Sequence, residues 1–207
     1  MTVTRQYASG GSDVARLVAK ALGWTLIDNE FVDQVARLAG LPPDEVAQRE
    51  ERSPGLLERL ARTLAVASPE MFITTAGTPP PVDADEDAIV KMTERVIAEA
   101  AAEGRVVLVG RGAQAYLAAR DKVLHVFLAA PTEVRVTRTM ERLKIDRKEA
   151  ERTVERTDRE RREYVKTYYG RGWGEPSNYD LTINTDRFKY AEVVELIADA
   201  LKKRGWL

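Results

Sequence analysis

Thr2-Val3-Thr4-Arg5-Gln6-Tyr7-Ala8-Ser9-Gly10-Gly11-Ser12-Asp13-Val14-Ala15-Arg16-Leu17-Val18-Ala19-Lys20 reads as a strand, a small-residue turn and an amphipathic helix. In that layout the free backbone N–H groups at a helix N-terminus cradle phosphate. Set against the phosphate-loop pattern GxxxxGK[ST], Gly10 stands at the last glycine and Ser12 at the magnesium-binding hydroxyl. Two positions depart from the pattern: Gly11 stands where the lysine belongs, and Arg5 where the first glycine belongs.

Working outward, a helix is expected from about Ser12 to Leu22, with Val14, Leu17, Val18, Ala21 and Leu22 on one face. Trp24-Thr25-Leu26-Ile27 follows as a second strand, with Asp28 at its carboxyl end, where ligands sit in open α/β sheets. From Asn29 to about Gly104 the pattern changes to that of a helical insertion. Helices are expected at Phe31 to Leu38, Pro43 to Glu50 and Leu56 to Leu64, and a Thr-, Pro-, Gly- and Asp-rich loop from Thr74 to Asp85. A further helix is marked by Ile89, Met92, Val96, Ile97 and Ala100 at helical spacing, and ends near Gly104.

The apolar run Arg105-Val106-Val107-Leu108-Val109-Gly110 reads as a strand buried on both faces, and it delivers Arg111 at its carboxyl end. Val123-Leu124-His125-Val126-Phe127-Leu128 is another such strand, followed by a helix from Pro131 to about Leu143. Tyr179-Asp180-Leu181-Thr182-Ile183-Asn184 is the last strand. The final helix carries Tyr190, Val193, Val194, Ile197 and Leu201 on one face. Five short strands separated by helices imply a three-layer α/β/α fold around a five-stranded parallel sheet. The expected division is a single domain over 1–207, with a core of 1–28 and 104–207 and an insertion over about 29–103.

Composition narrows the chemistry. The chain has 207 residues, of which 31% are charged, and a net charge of −1, so any basic site is local rather than global. There is no cysteine and one histidine, which excludes thiol catalysis, disulfides and histidine or thiolate metal clusters. No apolar run approaches a membrane span and no leader pattern opens the sequence, so a cytoplasmic protein is expected.

A second signal is the run Glu151-Arg152-Thr153-Val154-Glu155-Arg156-Thr157-Asp158-Arg159-Glu160-Arg161-Arg162-Glu163-Tyr164-Val165-Lys166. At helical pitch Arg152, Arg156, Arg159 and Lys166 share a sector of about 80°. Glu163 lies there too, so the run fits either a cationic face or a solvated helix laced with i,i+4 pairs. Thr167-Tyr168-Tyr169-Gly170-Arg171-Gly172-Trp173-Gly174-Glu175-Pro176-Ser177-Asn178 has the glycine-and-aromatic composition of a flap that closes over phosphates. Phosphoryl transfer asks for such cations and for exclusion of water.

Together with the Val109-Gly110-Arg111-Gly112 turn, the Arg156-Thr157-Asp158-Arg159-Glu160-Arg161 run and Tyr179-Asp180-Leu181-Thr182-Ile183-Asn184-Thr185, the Thr4-to-Gly11 loop resembles the cytidylate kinase-like family, relatives of the nucleoside monophosphate kinases. The resemblance implies a P-loop kinase core, an acceptor-binding helical insertion and a lid over about 156–178. It implies magnesium-dependent transfer of the ATP γ-phosphate to an acceptor such as CMP or dCMP. By position, Ala8, Ser9, Gly10, Gly11, Ser12 and Asp13 line the donor phosphates, with Ser12 binding magnesium. Arg111 holds the acceptor phosphate, and Arg156, Asp158, Arg159 and Arg161 contact sugar and phosphates from the lid. Gly112 replaces the aspartate that helps recognise cytosine, which leaves base specificity open.

Several roles stay open between a functional and a packing explanation. Arg5 either supplies phosphate-binding charge in place of the lysine or pairs with a carboxylate such as Asp28. Asp28 either orients magnesium-bound water or acceptor hydroxyls, or caps a helix beginning near Glu30. Tyr7 either meets a ligand or is a turn aromatic that packs on the insertion, and Trp173 either covers a ligand or packs. His125 reads as a satisfied core histidine. The competing functions are a kinase of a nucleotide donor and a small acceptor, a nucleotide-binding regulatory protein favoured by Gly11, and a nucleic-acid-binding module, which the near-neutral charge disfavours. Oligomeric state is not legible.

Overall fold

The computed structural model describes residues 1–28, 86–110 and 112–207. The expected helices at 31–38, 43–50 and 56–64, the 74–85 loop and Arg111 lie outside the described residues. The chain divides into two compact units, Met1–Leu26 with Val107–Leu207, and Ile27–Val106.

The described elements run in the order β1 (Thr2–Arg5), α1 (Gly11–Leu22), β2 (Thr25–Ile27), α2 (Glu86–Glu103), β3 (Val106–Val109), α3 (Ala113–Tyr116), β4 (His125–Ala129), α4 (Thr132–Leu143), α5 (Arg147–Tyr169), a 3-10 turn (Pro176–Asn178), β5 (Leu181–Asn184) and α6 (Tyr190–Lys203). The strands form one five-stranded sheet ordered β2-β3-β1-β4-β5. β1 pairs in parallel with β3 and β4, and β4 with β5. The α/β, parallel five-stranded expectation holds, and β1 is central, so the loop that leaves it emerges mid-sheet.

β3 and the body of β4 are buried along their length, as apolar strands covered on both faces must be. On one face Val3, Val109, Val126, Leu128 and Ile183 meet Val14, Ala15 and Val18 of α1, and Val193, Ile197 and Leu201 of α6. Each valine, leucine or isoleucine among them removed from water contributes about 1.5–3 kcal/mol before the entropy of ordering is set against it. On the other face Thr2 Oγ1 and His125 Nδ1 lie 2.8 Å apart, and the His125 backbone N–H donates to Asp180 Oδ2 at 2.8 Å. His125 is the satisfied core histidine that was expected. Burial holds its pKa below the ordinary value against the opposing pull of Asp180.

Element ends shift where side chains or turns intervene. β4 starts at His125 rather than Val123, and the Leu124 carbonyl accepts from the Thr2 amide at 2.8 Å. β5 starts at Leu181 because Tyr179 closes the 3-10 turn. α5 extends the basic run in both directions. Its start is fixed by Asp146, whose side chain accepts from the Glu149 amide at 2.8 Å.

Candidate active site

The Arg5-to-Ser12 loop joins the carboxyl end of β1 to α1, and its backbone polarity is sorted. The Arg5 carbonyl accepts from Arg161 Nη1 at 2.8 Å. The Gln6 carbonyl accepts from Ser9 Oγ at 2.9 Å. The Tyr7 and Ala8 carbonyls accept from Arg135 and Arg138, each at 3.4 Å. The Ser9 carbonyl accepts from Thr185 Oγ1 at 2.5 Å. With the oxygens held this way, Gly10 stands in a left-handed conformation as the residue that precedes α1, and no side chain caps the helix. The first N–H groups of a helix have no intrahelical partner, so an uncapped start presents donors and the positive end of the dipole.

Gly10 is glycine for two reasons. Its φ is 78°, and a Cβ there would run into the Tyr190 ring and hydroxyl. Ala8 also takes a positive φ, 57°, a conformation uncommon outside glycine, and it is held by the bond from Arg138.

A cleft of about 460 Å³ opens over this loop. Arg5, Gln6, Tyr7, Ala8, Gly10, Gly11, Ser12 and Asp13 form its floor, Arg138, Glu141 and Arg142 of α4 one wall, and Arg161 of α5 and Tyr190 of α6 complete it. Four arginines and two acidic residues therefore line one space, the charge balance of a site for a polyanion.

The sequence-derived residues fall into distinct groups. Arg5, Ala8, Gly10, Gly11, Ser12, Asp13 and Arg161 line the cleft, while Ser9 is buried beneath it. Asp13 is paired with Arg16 at 3.0 Å. Asp158 is buried; it accepts from the Tyr7 amide at 2.8 Å and from Arg135 Nη1 at 2.5 Å, so its carboxylate ties α5 and α4 to the loop. Arg156 and Arg159 do not line the cleft. Their side chains are exposed and loosely paired with Glu160 and Glu163, at 3.8 and 4.0 Å. Asp28 follows β2, is half-buried and belongs to the Ile27–Val106 unit.

Arg138 and Arg142 are the cleft cations that the sequence reading missed, together with Gln6, Glu141 and Tyr190. With Arg135 the two arginines recur at i, i+3 and i+7 on α4, one helix face, which is the signal that would have found them. Arg135 is buried and structural, donating Nε to the Ala130 carbonyl at 3.0 Å as well as to Asp158. Arg142 donates to the Tyr7 hydroxyl at 2.5 Å and lies 5.0 Å from the Tyr7 ring centre. Tyr7 lines the cleft and packs against the small cluster of Val136, Ala150 and Val154, on α4 and α5 rather than on the insertion. Burial lowers the Arg161 pKa, with Asp158 opposing; an arginine stays cationic regardless.

The glycine-rich flap is tied down. Trp173 packs edge-to-face on Phe127 with ring centres 5.5 Å apart, and Arg162 lies over the indole. Arg171 Nη2 donates to Asn178 Oδ1 at 2.6 Å, and Asn178 Nδ2 to the Gly172 carbonyl at 2.9 Å. Gly112 has φ 70°, and a Cβ there would collide with the Tyr169 ring, so the aspartate of the related motif has no room while Tyr169 keeps its place.

Magnesium fits this donor set in one way. Among the described residues no cluster of three or more potential ligands exists, and Ser12 presents an exposed hydroxyl at the start of α1. A magnesium ion here would have the Ser12 hydroxyl as a protein ligand and would otherwise be held by phosphate oxygens and water.

Residues 1–187 match the model of the cytidylate kinase-like family. The chain is 32% identical over 141 residues to a cytidylate kinase of Methanopyrus kandleri, covering 64% of this chain and 69% of that one. Among solved structures, an uncharacterized protein from Eubacterium ventriosum superposes with a TM-score of 0.69 at 20% identity, over 97% of this chain and 96% of the other. A shikimate kinase from Bacteroides thetaiotaomicron superposes with a TM-score of 0.51 at 15% identity over the same shares, a likeness of fold.

Proposed function

The chain belongs to the cytidylate kinase-like family, and we propose that it is a cytoplasmic enzyme that transfers the γ-phosphate of ATP, with magnesium, to a nucleoside monophosphate, CMP or dCMP first among the candidates. The observation that supports this best is the convergence of an uncapped α1 N-terminus with four arginines in one cleft. In this reading the loop from Ala8 to Asp13 seats the donor phosphates. Arg138, Arg142, Arg161 and Arg5 neutralise their charge, and Ser12 binds magnesium, which shields charge between the phosphates when present. Arg111, by its place in the sequence, holds the acceptor phosphate.

The reaction is an in-line displacement. An acceptor phosphate oxygen attacks the γ-phosphorus, the bond to the β,γ-bridging oxygen breaks, and the electron pair leaves on ADP. A phosphate oxygen is already anionic near neutral pH, so the step needs positioning and charge stabilisation more than a base. Arg156 and Arg159 serve as lid cations in this proposal. Their exposed pairs are weak, on the order of 0.3–0.5 kcal/mol for such i,i+4 contacts, and cost little to exchange for phosphate. Asp158 positions the loop rather than touching sugar.

A second reading, a kinase of a different small acceptor, is favoured by Gly112, where Tyr169 fills the space of a base-reading side chain. A coupled ADP-release assay with ATP and magnesium against CMP, dCMP, UMP, AMP and GMP separates the two, run on wild type beside Arg111→Ala. Turnover with a pyrimidine monophosphate, lost in the variant, is the expected result. No turnover across the panel with ATP still bound would move the case to another acceptor.

A further inference from the structure

Against the pattern GxxxxGK[ST], the loop holds a cation where glycine is usual, at Arg5, and a glycine where the cation is usual, at Gly11. These departures are sterically linked. A Cβ built on Gly11 would collide with Cβ and Cγ of Arg5. The Arg5 Cβ is fixed by the backbone of β1, in register with Leu128 of β4, so no rotamer change moves it aside. Gly11 opens α1 and is not among the residues with positive φ, so its need to be glycine is a matter of space, not of backbone conformation. Position 5 or position 11 has room for a side chain, but not both. The far end of the same arginine meets a second glycine: its Nη1 occupies the space into which a Cβ of Gly110 would project, beside the end of β3.

We infer that the phosphate-binding cation of this loop has moved from position 11 to position 5: Arg5 does the work of the usual lysine, and Gly11 is glycine because the arginine stem fills its side-chain space, whereas Gly110, at φ 75°, is glycine for its backbone conformation. Arg5 lines the same cleft as Gly11 and Ser12. Its planar fork suits two oxygens of one phosphate, where an ammonium acts as a point charge. The ligand class is the polyphosphate of a nucleoside triphosphate. A glycine in the lysine position is then a relocation of charge rather than a mark of lost activity. The charge half of this inference rests on the kinase reading; the steric half does not.

The test exchanges the two residues back. Arg5→Gly, Gly11→Lys, Arg5→Gly/Gly11→Lys and Arg5→Ala/Gly11→Lys are compared by thermal melting and by calorimetric titration with ATP and with inorganic tripolyphosphate. Gly11→Lys is expected to melt several degrees below wild type, as overpacked sites do. Arg5→Gly is expected to bind ATP about tenfold or more weakly, the scale of a lost charge-assisted contact. The Arg5→Gly/Gly11→Lys protein rebuilds the common pattern. It is expected to melt above Gly11→Lys and to bind ATP more tightly than Arg5→Gly. Arg5→Ala/Gly11→Lys retains a Cβ at position 5 and is expected to show no such recovery. If Gly11→Lys does not fold, Gly11→Ala with and without Arg5→Gly makes the same steric comparison. Additive melting effects, or equal recovery with Ala and Gly at position 5, would overturn the steric link. Wild-type affinity in Arg5→Gly would overturn the charge role alone. A wild type that binds neither ATP nor tripolyphosphate would overturn the charge role together with the kinase reading, while the melting series would still decide the steric link.

Discussion

Two arginine-rich helices, α4 and α5, lie side by side in the sequence and put their charge to different uses. α5 has the denser run, yet Arg147, Arg156 and Arg159 are exposed and paired with Glu133, Glu151, Glu160 and Glu163, and of the run only Arg161 lines the cleft. α4 has fewer, and Arg135, Arg138 and Arg142 all reach the phosphate loop, donating to the Tyr7 carbonyl, the Ala8 carbonyl and the Tyr7 hydroxyl. Charge density along a chain does not locate an anion site. What locates it is the helix face that packs against backbone needing donors.

The comparison breaks most sharply at the buried end of α4. Arg135 and Asp158 are both buried and bonded at 2.5 Å, so removing either one leaves the other charge uncompensated. Asp158→Ala or Arg135→Ala is expected to cost about 3–5 kcal/mol, read as a fall in denaturant midpoint, whereas the double substitution to apolar residues should recover part of it. At the open end of the same face, Arg138→Ala with Arg142→Ala should cost clearly less stability than either buried substitution, because the loop contacts they lose are part-buried or exposed. The KM for ATP should rise about tenfold or more, since charge-assisted contacts of about 1.5–3 kcal/mol are lost. A matching loss of stability would mean that these two arginines are structural, like Arg135.

Acid sharpens a different part of the contrast. Burial lowers the folded pKa of His125 below its ordinary 6.5, with Asp180 pulling it up and the amino terminus and Arg171 pulling it down. Above pH 6.5 the ring is neutral in both states and its contribution is intact. As pH falls from there toward the folded pKa, the unfolded chain takes up a proton that the folded one does not, and stability is lost. Wild type should therefore lose more melting temperature between pH 7 and pH 5 than His125→Asn. The smallest effect on stability belongs to the solvated face of α5: Arg156→Ala and Arg159→Ala should each shift stability by no more than about 0.5 kcal/mol. In the kinase reading both lower kcat, so a fall in kcat at constant melting temperature is the expected signature.

Much of the fold was legible because buried parallel strands read as apolar runs. Val106 to Val109 and His125 to Leu128 needed only local sequence, as did the amphipathic faces of α1 and α6. Strand ends were less legible, since Asp180 spends its carboxylate on the His125 amide and Tyr179 closes a turn, both choices made by distant residues. In the site, Gly10 and Ser12 were readable from spacing. Asp158 was read as a ligand of the substrate because its partners, the Tyr7 amide and Arg135, come together only in the folded chain. The contact between Arg5 and Gly110 is invisible for the same reason, since adjacent strands in a parallel sheet are far apart in sequence. Arg138 and Arg142 had a local signal, their helical spacing with Arg135, but what makes it meaningful is the loop beneath them.

The most direct measurement is calorimetric titration of the wild-type chain with inorganic tripolyphosphate and with ATP, at two salt concentrations. If the cleft over the phosphate loop is the donor site, both ligands bind, each displaces the other, and affinity falls as salt rises. Absence of binding, or ATP binding that tripolyphosphate does not weaken, would contradict a polyphosphate site at the start of α1.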